Sequence, residues 1–103
     1  MISDLNEANS DPFKTKVFDV CICGAGFAGI TLALKLSQKL NVVLLEAGGL
    51  QYSERSQSVY QGSIVGREYF PLWASRLRYF GGTSNHWTGW CTPLDPIDFE
   101  PKS

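Results

Sequence analysis

The first half of the chain alternates between continuous apolar runs and one segment with apolar residues at helical spacing. Residues 17–23 are mostly β-branched or apolar and predict a buried strand. Residues 27–40 carry apolar side chains on one helix face, which predicts an amphipathic helix. After Asn41, residues 42–46 form a second apolar run, typical of a parallel strand covered on both faces. This order predicts one βαβ unit with a right-handed crossover.

The second half of the chain has no comparable period. Residues 50–70 are polar and mixed, which favours a loop with some short helix. Residues 71–92 hold all three tryptophans and the pair Gly81 and Gly82, and residues 93–103 are rich in proline and acidic residues. This half therefore predicts an irregular segment, not further βα units.

The domain organisation follows from these two halves. Residues 1–16 are polar and predict a flexible leader. Residues 17–103 predict an α/β domain, but a doubly wound sheet needs more than two parallel strands to cover its apolar faces. We therefore expect residues 17–103 to be an incomplete, N-terminal part of such a domain, and the chain to be a fragment of a longer protein.

Composition and charge exclude several classes of protein. The 103 residues are 44% hydrophobic and 18% charged, which is typical of a folded domain. The net charge is −1 and no basic cluster occurs, so a nucleic-acid partner is not expected. No apolar run is long enough to cross a bilayer, and residues 1–16 lack the pattern of a secretory signal, so we predict a cytoplasmic location.

The three cysteines are expected to be packing residues without a chemical role. Cys21 and Cys23 are two residues apart in a predicted strand, so both would face one side of the sheet as small buried residues. Cys91 is likewise expected to be inert packing. A metal site would need more ligands than a chain with a single histidine offers, so none is predicted.

The segment between the first strand and the helix reads Gly24-Ala25-Gly26-Phe27-Ala28-Gly29. In a βαβ unit this spacing permits a tight turn, close approach of a pyrophosphate, and close packing of helix on strand. Glu46 ends the second strand, 22 residues after Gly24, where a carboxylate accepts hydrogen bonds from a ribose hydroxyl. These residues predict an ADP-containing cofactor but do not separate FAD from NAD.

A resemblance to a known protein family favours FAD over NAD. The segments Glu46-Ala47-Gly48-Gly49 and Phe80-Gly81-Gly82-Thr83-Ser84 resemble two motifs of the glucose–methanol–choline (GMC) oxidoreductases, in the same order. The resemblance covers most of residues 17–98. It implies a Rossmann-like FAD-binding βαβ unit followed by an irregular, flavin-contacting segment.

The resemblance also implies which residues contact FAD. Gly81 and Gly82 would approach the flavin through their backbone, and either Arg76 or Arg78 would pair with the pyrophosphate. The expected cofactor-binding residues are Gly24, Gly26, Phe27, Ala28, Gly29, Glu46, Arg76, Arg78, Gly81, Gly82, Thr83, Ser84, Asn85, His86, Trp87 and Thr88.

His86 has the most specific expected role. The segment Ser84-Asn85-His86-Trp87-Thr88 resembles the pyranose 2-oxidase-like branch of the GMC family, in which a histidine at this offset is bonded to the flavin 8α carbon. Three alternatives stay open: a covalent link to FAD, a contact without a bond, and an ordinary loop histidine. Trp87 stands where many members have asparagine, which favours sugar- or glycoside-oxidising branches.

The remaining aromatic and acidic residues have ordinary interpretations. Trp73, Trp87 and Trp90 could stack on a sugar or on the flavin, but the favoured interpretation is core and cap packing. Asp95 and Asp98 lie in a turn-rich segment, where local capping is expected rather than acid–base catalysis.

The resemblance implies an oxidoreductase that takes a hydride from a hydroxyl-bearing carbon of a small-molecule substrate to the flavin. In that family the general base is a histidine near the C-terminus, and His86 is the only histidine here, so no catalytic residue is expected in this chain. The alternatives are a non-enzymatic ADP- or nucleotide-binding module, a fragment of an NAD-dependent Rossmann dehydrogenase, and a fragment that does not fold stably. The sequence leaves substrate identity, electron acceptor and oligomeric state open.

Overall fold

A computed structural model describes residues 2–8 and 13–101. It contains strand β1 (Val20–Cys23), helix α1 (Phe27–Leu36) and strand β2 (Val42–Leu45). The strands pair in parallel, with Val20 opposite Val42 and Cys23 opposite Leu45. The predicted βαβ unit is therefore confirmed, as a small two-stranded α/β fold.

The elements are shorter than the sequence pattern predicted. Strand β1 begins at Val20 rather than at residue 17 because the strand facing it begins at Val42. At Asp19 the backbone N–H already donates to the carbonyl of Asn41 (2.9 Å), the residue that precedes β2. Helix α1 ends at Leu36 rather than at residue 40, and the N–H groups of Lys39 and Leu40 both donate to the Leu36 carbonyl (3.0 Å each). These two bonds form a turn that ends the helix.

The second half forms short helical pieces, which were predicted for residues 50–70 but not for the residues that follow. They are α2 (Glu54–Gln57), a 3-10 helix (Ser58–Tyr60), α3 (Leu72–Ser75) and two further 3-10 helices (Gly82–His86 and Pro96–Phe99). Of the predicted leader, residues 1 and 9–12 lie outside the described residues, as do residues 102 and 103 at the other end. The flexibility of the leader and the fragment assignment stay predictions.

The prediction that Cys21 and Cys23 are buried was wrong. Cys21 and Cys23 do share one face of β1, but both are exposed. Between them Ile22 is buried and turns toward the start of α1, so the cysteines point away from the helix. In the described part of the chain α1 covers one face of the sheet only, which is why the opposite face is open. Cys91 is exposed as well and does not serve as buried packing.

The tryptophans are not core residues either. Trp73, Trp87 and Trp90 are 55%, 54% and 89% exposed, because the segments that carry them lie on the surface of this small unit. The capping prediction for Asp95 and Asp98 is confirmed. The Asp98 carboxylate accepts from the Asp95 backbone N–H (2.9 Å), and the pair forms a capping box at the start of the last 3-10 helix. Among the described residues no helix is long and apolar enough to cross a membrane.

Candidate nucleotide-binding site

The first glycine segment makes the tight turn between β1 and α1. Gly24 has a φ of +102°, a conformation that favours glycine, and its N–H donates to the Leu45 carbonyl of β2 (2.7 Å). An added Cβ at Gly29 would lie 1.8 Å from the Gly24 carbonyl oxygen. The predicted tight turn and the predicted close packing of α1 are therefore both present.

The amino end of α1 is turned toward open space. The Ile30 N–H is bonded to the Gly26 carbonyl (3.0 Å), so the amides of Phe27, Ala28 and Gly29 occupy the first turn, where N–H groups lack helical acceptors. At Gly26 an added Cβ would meet no described residue beyond its chain neighbours within 4 Å. Backbone N–H groups, the positive end of the helix dipole and an absent side chain together suit a phosphate group.

Glu46 joins the two strand ends. Its carboxylate accepts hydrogen bonds from the Ala25 N–H (2.7 Å) and from the Gly48 N–H (2.9 Å). Sequence reasoning assigned it to a ribose hydroxyl and did not foresee these backbone contacts. An ionised carboxylate has about four lone-pair sites, so two backbone bonds leave capacity for a ligand hydroxyl.

The second glycine segment, residues 80–84, packs against the first, residues 24–29, and against Gly49. The Gly81 N–H donates to the Ala25 carbonyl (2.8 Å), and the Phe80 N–H donates to the Gly49 carbonyl (2.9 Å). At Gly48 an added Cβ would lie 2.1 Å from the Arg78 carbonyl oxygen, so only glycine permits this approach. Segments more than 30 residues apart in sequence are thereby held together by backbone contacts.

These segments line an open cavity of about 510 Å³, within the size range of small-molecule and cofactor sites. We call it the glycine cavity. Six of the predicted cofactor residues line it: Gly24, Gly26, Glu46, Arg78, Gly82 and Thr83. Its other lining residues are Cys23, Leu45, Ala47, Tyr60 and Leu77.

The structure distinguishes the two arginines that the sequence could not separate. Arg78 is half-buried and lines the glycine cavity. Its Nη1 donates to the Ser56 hydroxyl (2.8 Å). Arg76 is exposed and is not among the residues that line this cavity. Of the two arginines, Arg78 is therefore the one that borders this cavity.

Ser84 and Asn85 stabilise the second glycine segment itself. The Ser84 hydroxyl donates to the Gly81 carbonyl. The Asn85 side-chain amide donates to the carbonyls of Phe80 (3.1 Å) and Gly82 (2.9 Å). These two side chains fix the shape of the loop through local bonds to its carbonyl groups.

His86 faces a different cavity. Together with Asn85 it lines a space of about 440 Å³ that also borders Tyr52, Trp73 and Tyr79. We call this space the aromatic cavity. Leu77 lines both cavities, so the two spaces are neighbours.

The last predicted residues lie at the surface beyond His86. Trp87 contacts Phe27 at the start of α1, edge to face, with ring centroids 5.6 Å apart. Its indole N–H donates to the Trp90 carbonyl (3.1 Å). Thr88 is exposed. Trp87 thus links the second glycine segment to the first turn of α1.

Sequence reasoning missed the contribution of α2. Ser56 and Gln57 bond to the segment that carries Arg78, and Tyr60 borders the glycine cavity. The surrounding residues 50–70 show no period, so no pattern marked these side chains. The sequence shows only a short polar stretch at these positions, and such a stretch does not predict a contact with a distant segment.

Comparison with known protein families identifies the family of this chain. A model of the FAD-dependent oxidoreductases matches residues 19–102. The chain belongs to the FAD-dependent oxidoreductase family. No match was found among curated proteins or among solved structures.

Membership of the FAD-dependent oxidoreductases decides between the two cofactors that the glycine motif left open. Flavin adenine dinucleotide is the cofactor of this family, and the βαβ unit is its Rossmann-like FAD-binding fold. The glycine cavity fits the ADP and pyrophosphate portion of that cofactor. Its lining includes Gly26, the residue before α1 at which an added Cβ meets no described residue beyond its chain neighbours, together with Glu46 and Arg78.

Proposed function

We propose that the glycine cavity binds the ADP and pyrophosphate portion of FAD. The observation that carries the proposal is the bond from the Gly81 N–H to the Ala25 carbonyl (2.8 Å), because it joins the two glycine segments around one space. The amides of the first turn of α1 then face the phosphates, together with the Arg78 guanidinium. Glu46 accepts from the ribose, which also disfavours a 2′-phosphate by charge repulsion.

We further propose that the protein is a GMC-type oxidoreductase that oxidises a hydroxyl group on a sugar, a glycoside or another alcohol. The order and spacing of Glu46-Ala47-Gly48-Gly49 and Phe80-Gly81-Gly82-Thr83-Ser84 support this assignment. The cofactor supplies the hydride acceptor, and the residues of this chain bind and orient it. The exposed faces of Trp73 and Trp87 are available for stacking on a sugar or on the flavin.

His86 is proposed to contact the flavin ring. It is exposed, it borders the aromatic cavity, and it follows Thr83, a residue of the glycine cavity, by three positions. An imidazole nitrogen with a free lone pair is a nucleophile, so the contact either remains noncovalent or becomes a bond to the flavin 8α carbon. Such a bond would replace one C–H bond of the 8α methyl group, with that hydrogen and the imidazole N–H hydrogen leaving as protons. The two electrons would go to the isoalloxazine, which would be left reduced until its electron acceptor reoxidises it.

Blocking the glycine cavity tests the cofactor proposal. Gly26 lines the cavity, and a Cβ added there would meet no described residue beyond its chain neighbours within 4 Å. We therefore expect Gly26→Val to keep the fold and to bind FAD at least about tenfold more weakly. The measurement is an FAD fluorescence titration with circular dichroism as the check on folding. Gly62→Val is the matched control, since Gly62 also has open space but lies outside the cavity. Unchanged FAD affinity in folded Gly26→Val would contradict the proposal.

Acid precipitation separates the two forms of the His86 contact. Flavin that stays with the precipitated protein, and is lost in His86→Ala, would establish the covalent bond. Flavin released from the wild type, with FAD affinity or flavin spectrum altered in His86→Ala, would establish a contact without a bond. Identical flavin spectra and affinities in the two proteins would make His86 an ordinary loop residue.

A further inference from the structure

Gln57 is a buried side chain with its amide fully engaged. It is 6% exposed, and its Nε2 donates to the carbonyls of Trp73 (2.7 Å) and Arg76 (2.5 Å). Its Oε1 accepts from the Arg78 N–H (3.0 Å). A buried amide with three backbone partners holds the backbone of residues 73–78 in one position relative to α2.

Ser56, the preceding residue, engages the same arginine twice. Its hydroxyl donates to the Arg78 carbonyl (3.0 Å) and accepts from Arg78 Nη1 (2.8 Å). Together with Gln57, this fixes both backbone polar groups of Arg78 and one end of its guanidinium. An arginine side chain has five N–H donors, so the bond to Ser56 leaves donors for the cavity that Arg78 lines.

We propose that Ser56 and Gln57 are positioning residues that hold the Arg78 guanidinium ready to bind the cofactor's pyrophosphate; this inference rests on the proposed FAD site. A long side chain that is already ordered loses less conformational entropy when it binds a ligand. The short helix α2 therefore contributes to cofactor affinity through Arg78. Ser56 and Gln57 are not themselves among the residues that line the glycine cavity.

Removing the Ser56 hydroxyl should weaken FAD binding through Arg78 alone. The loss of one hydrogen bond to a charged group predicts that Ser56→Ala binds FAD about threefold to tenfold more weakly. Ser56→Thr keeps the hydroxyl and should bind within about twofold of the wild type. Ser58→Ala is the matched control, because the Ser58 hydroxyl donates to the Arg55 carbonyl (2.9 Å) and not to Arg78.

A double-mutant cycle with Arg78→Met separates positioning from a general structural effect. Arg78→Met removes the guanidinium but keeps the carbonyl to which Ser56 donates, so adding Ser56→Ala should cause no further loss of FAD affinity. The dependence of FAD affinity on salt should also be smaller in Ser56→Ala than in the wild type, since a screened ion contact has been weakened. Melting temperatures check folding, and Ser56→Cys serves as a milder variant if Ser56→Ala does not fold.

The possible results of these experiments distinguish a failure of the positioning role from a failure of the FAD site. Coupling between the two substitutions, with Ser58→Ala unchanged, supports the positioning role. Equal losses from Ser56→Ala with and without Arg78, or no loss in either background, would overturn it while leaving the FAD site intact. A wild-type protein that does not bind FAD would overturn the site itself and this inference with it.

Discussion

At Gly24, Gly26 and Gly29 an added methyl group would have three different consequences. At Gly24 the backbone has a positive φ. At Gly26, a residue that lines the glycine cavity, the methyl group would meet no described residue beyond its chain neighbours within 4 Å. At Gly29 it would collide with a carbonyl. The spacing of the three glycines, placed between a predicted strand and a predicted helix, predicted the turn, the open approach and the close packing. These roles could be foreseen because each follows from local chain geometry.

Gly29→Ala should therefore destabilise the protein. The new Cβ would lie 1.8 Å from the Gly24 carbonyl oxygen, and backbone on both sides must shift to relieve the overlap. We expect a loss of about 3 kcal/mol in the free energy of unfolding. Urea denaturation measures it, with Gly62→Ala as the control, since an added Cβ there meets no described residue beyond its chain neighbours within 4 Å. Equal stabilities for the two variants would contradict the close packing of α1 on the turn.

The burial of Gln57 could not be predicted from the sequence. A glutamine in a polar stretch is normally exposed, and this one is 6% exposed because it bonds to three backbone groups 16 to 21 residues away. Those partners lie in α3 and in the residues that follow it, and this stretch of the sequence has no period from which its path could be predicted. The same reason kept Arg78 and Arg76 indistinguishable until their burial was known.

At the scale of elements, the strands show what an apolar run does and does not specify. Residues 17–23 and 42–46 correctly predicted two parallel strands, but their ends depend on pairing, which begins at Val20 and Val42. Coverage of both faces was also predicted, and α1 covers the Ile22 face alone among the described residues. Periodicity identifies an element, whereas its neighbours decide its bounds and its exposure.

The open face of β1 gives Cys21 a measurable property. The pKa of its thiol is raised above the ordinary value of 9.0, first by partial removal from water and then by the charge and hydrogen bond of Cys23. A raised pKa means less thiolate at pH 8, so alkylation by iodoacetamide should be slow there and keep accelerating above pH 9. Mass spectrometry of the alkylated peptides measures the rate for Cys21.

Cys23→Ser provides the matched comparison for the Cys21 thiol. Without the Cys23 thiol, two of the three causes that raise the pKa of Cys21 weaken, so its alkylation at pH 8 should become faster. A rate at Cys21 that is indifferent to this substitution, and that levels off below pH 9, would contradict the arrangement of the two thiols on one strand face.

At the scale of the whole molecule, segments far apart in the sequence lie together. The expected cofactor residues come from both glycine segments, and the backbone bonds between Gly81 and Ala25 and between Phe80 and Gly49 bring those residues close to one another. The helix α2 and the separation of His86 into the aromatic cavity were not predictable, because they depend on how an aperiodic segment folds back on the βαβ unit. Family membership then identifies FAD as the cofactor of this unit.

The central claim is that this site binds FAD through its phosphates, and the two arginines test it most directly. The measurement is the FAD dissociation constant of Arg78→Ala beside that of Arg76→Ala, two identical substitutions two residues apart. We predict that Arg78→Ala binds at least about tenfold more weakly, since a charge-assisted contact is lost, and that Arg76→Ala binds as the wild type does. Equal affinities, or the larger loss at Arg76, would contradict the assignment of the glycine cavity to the pyrophosphate.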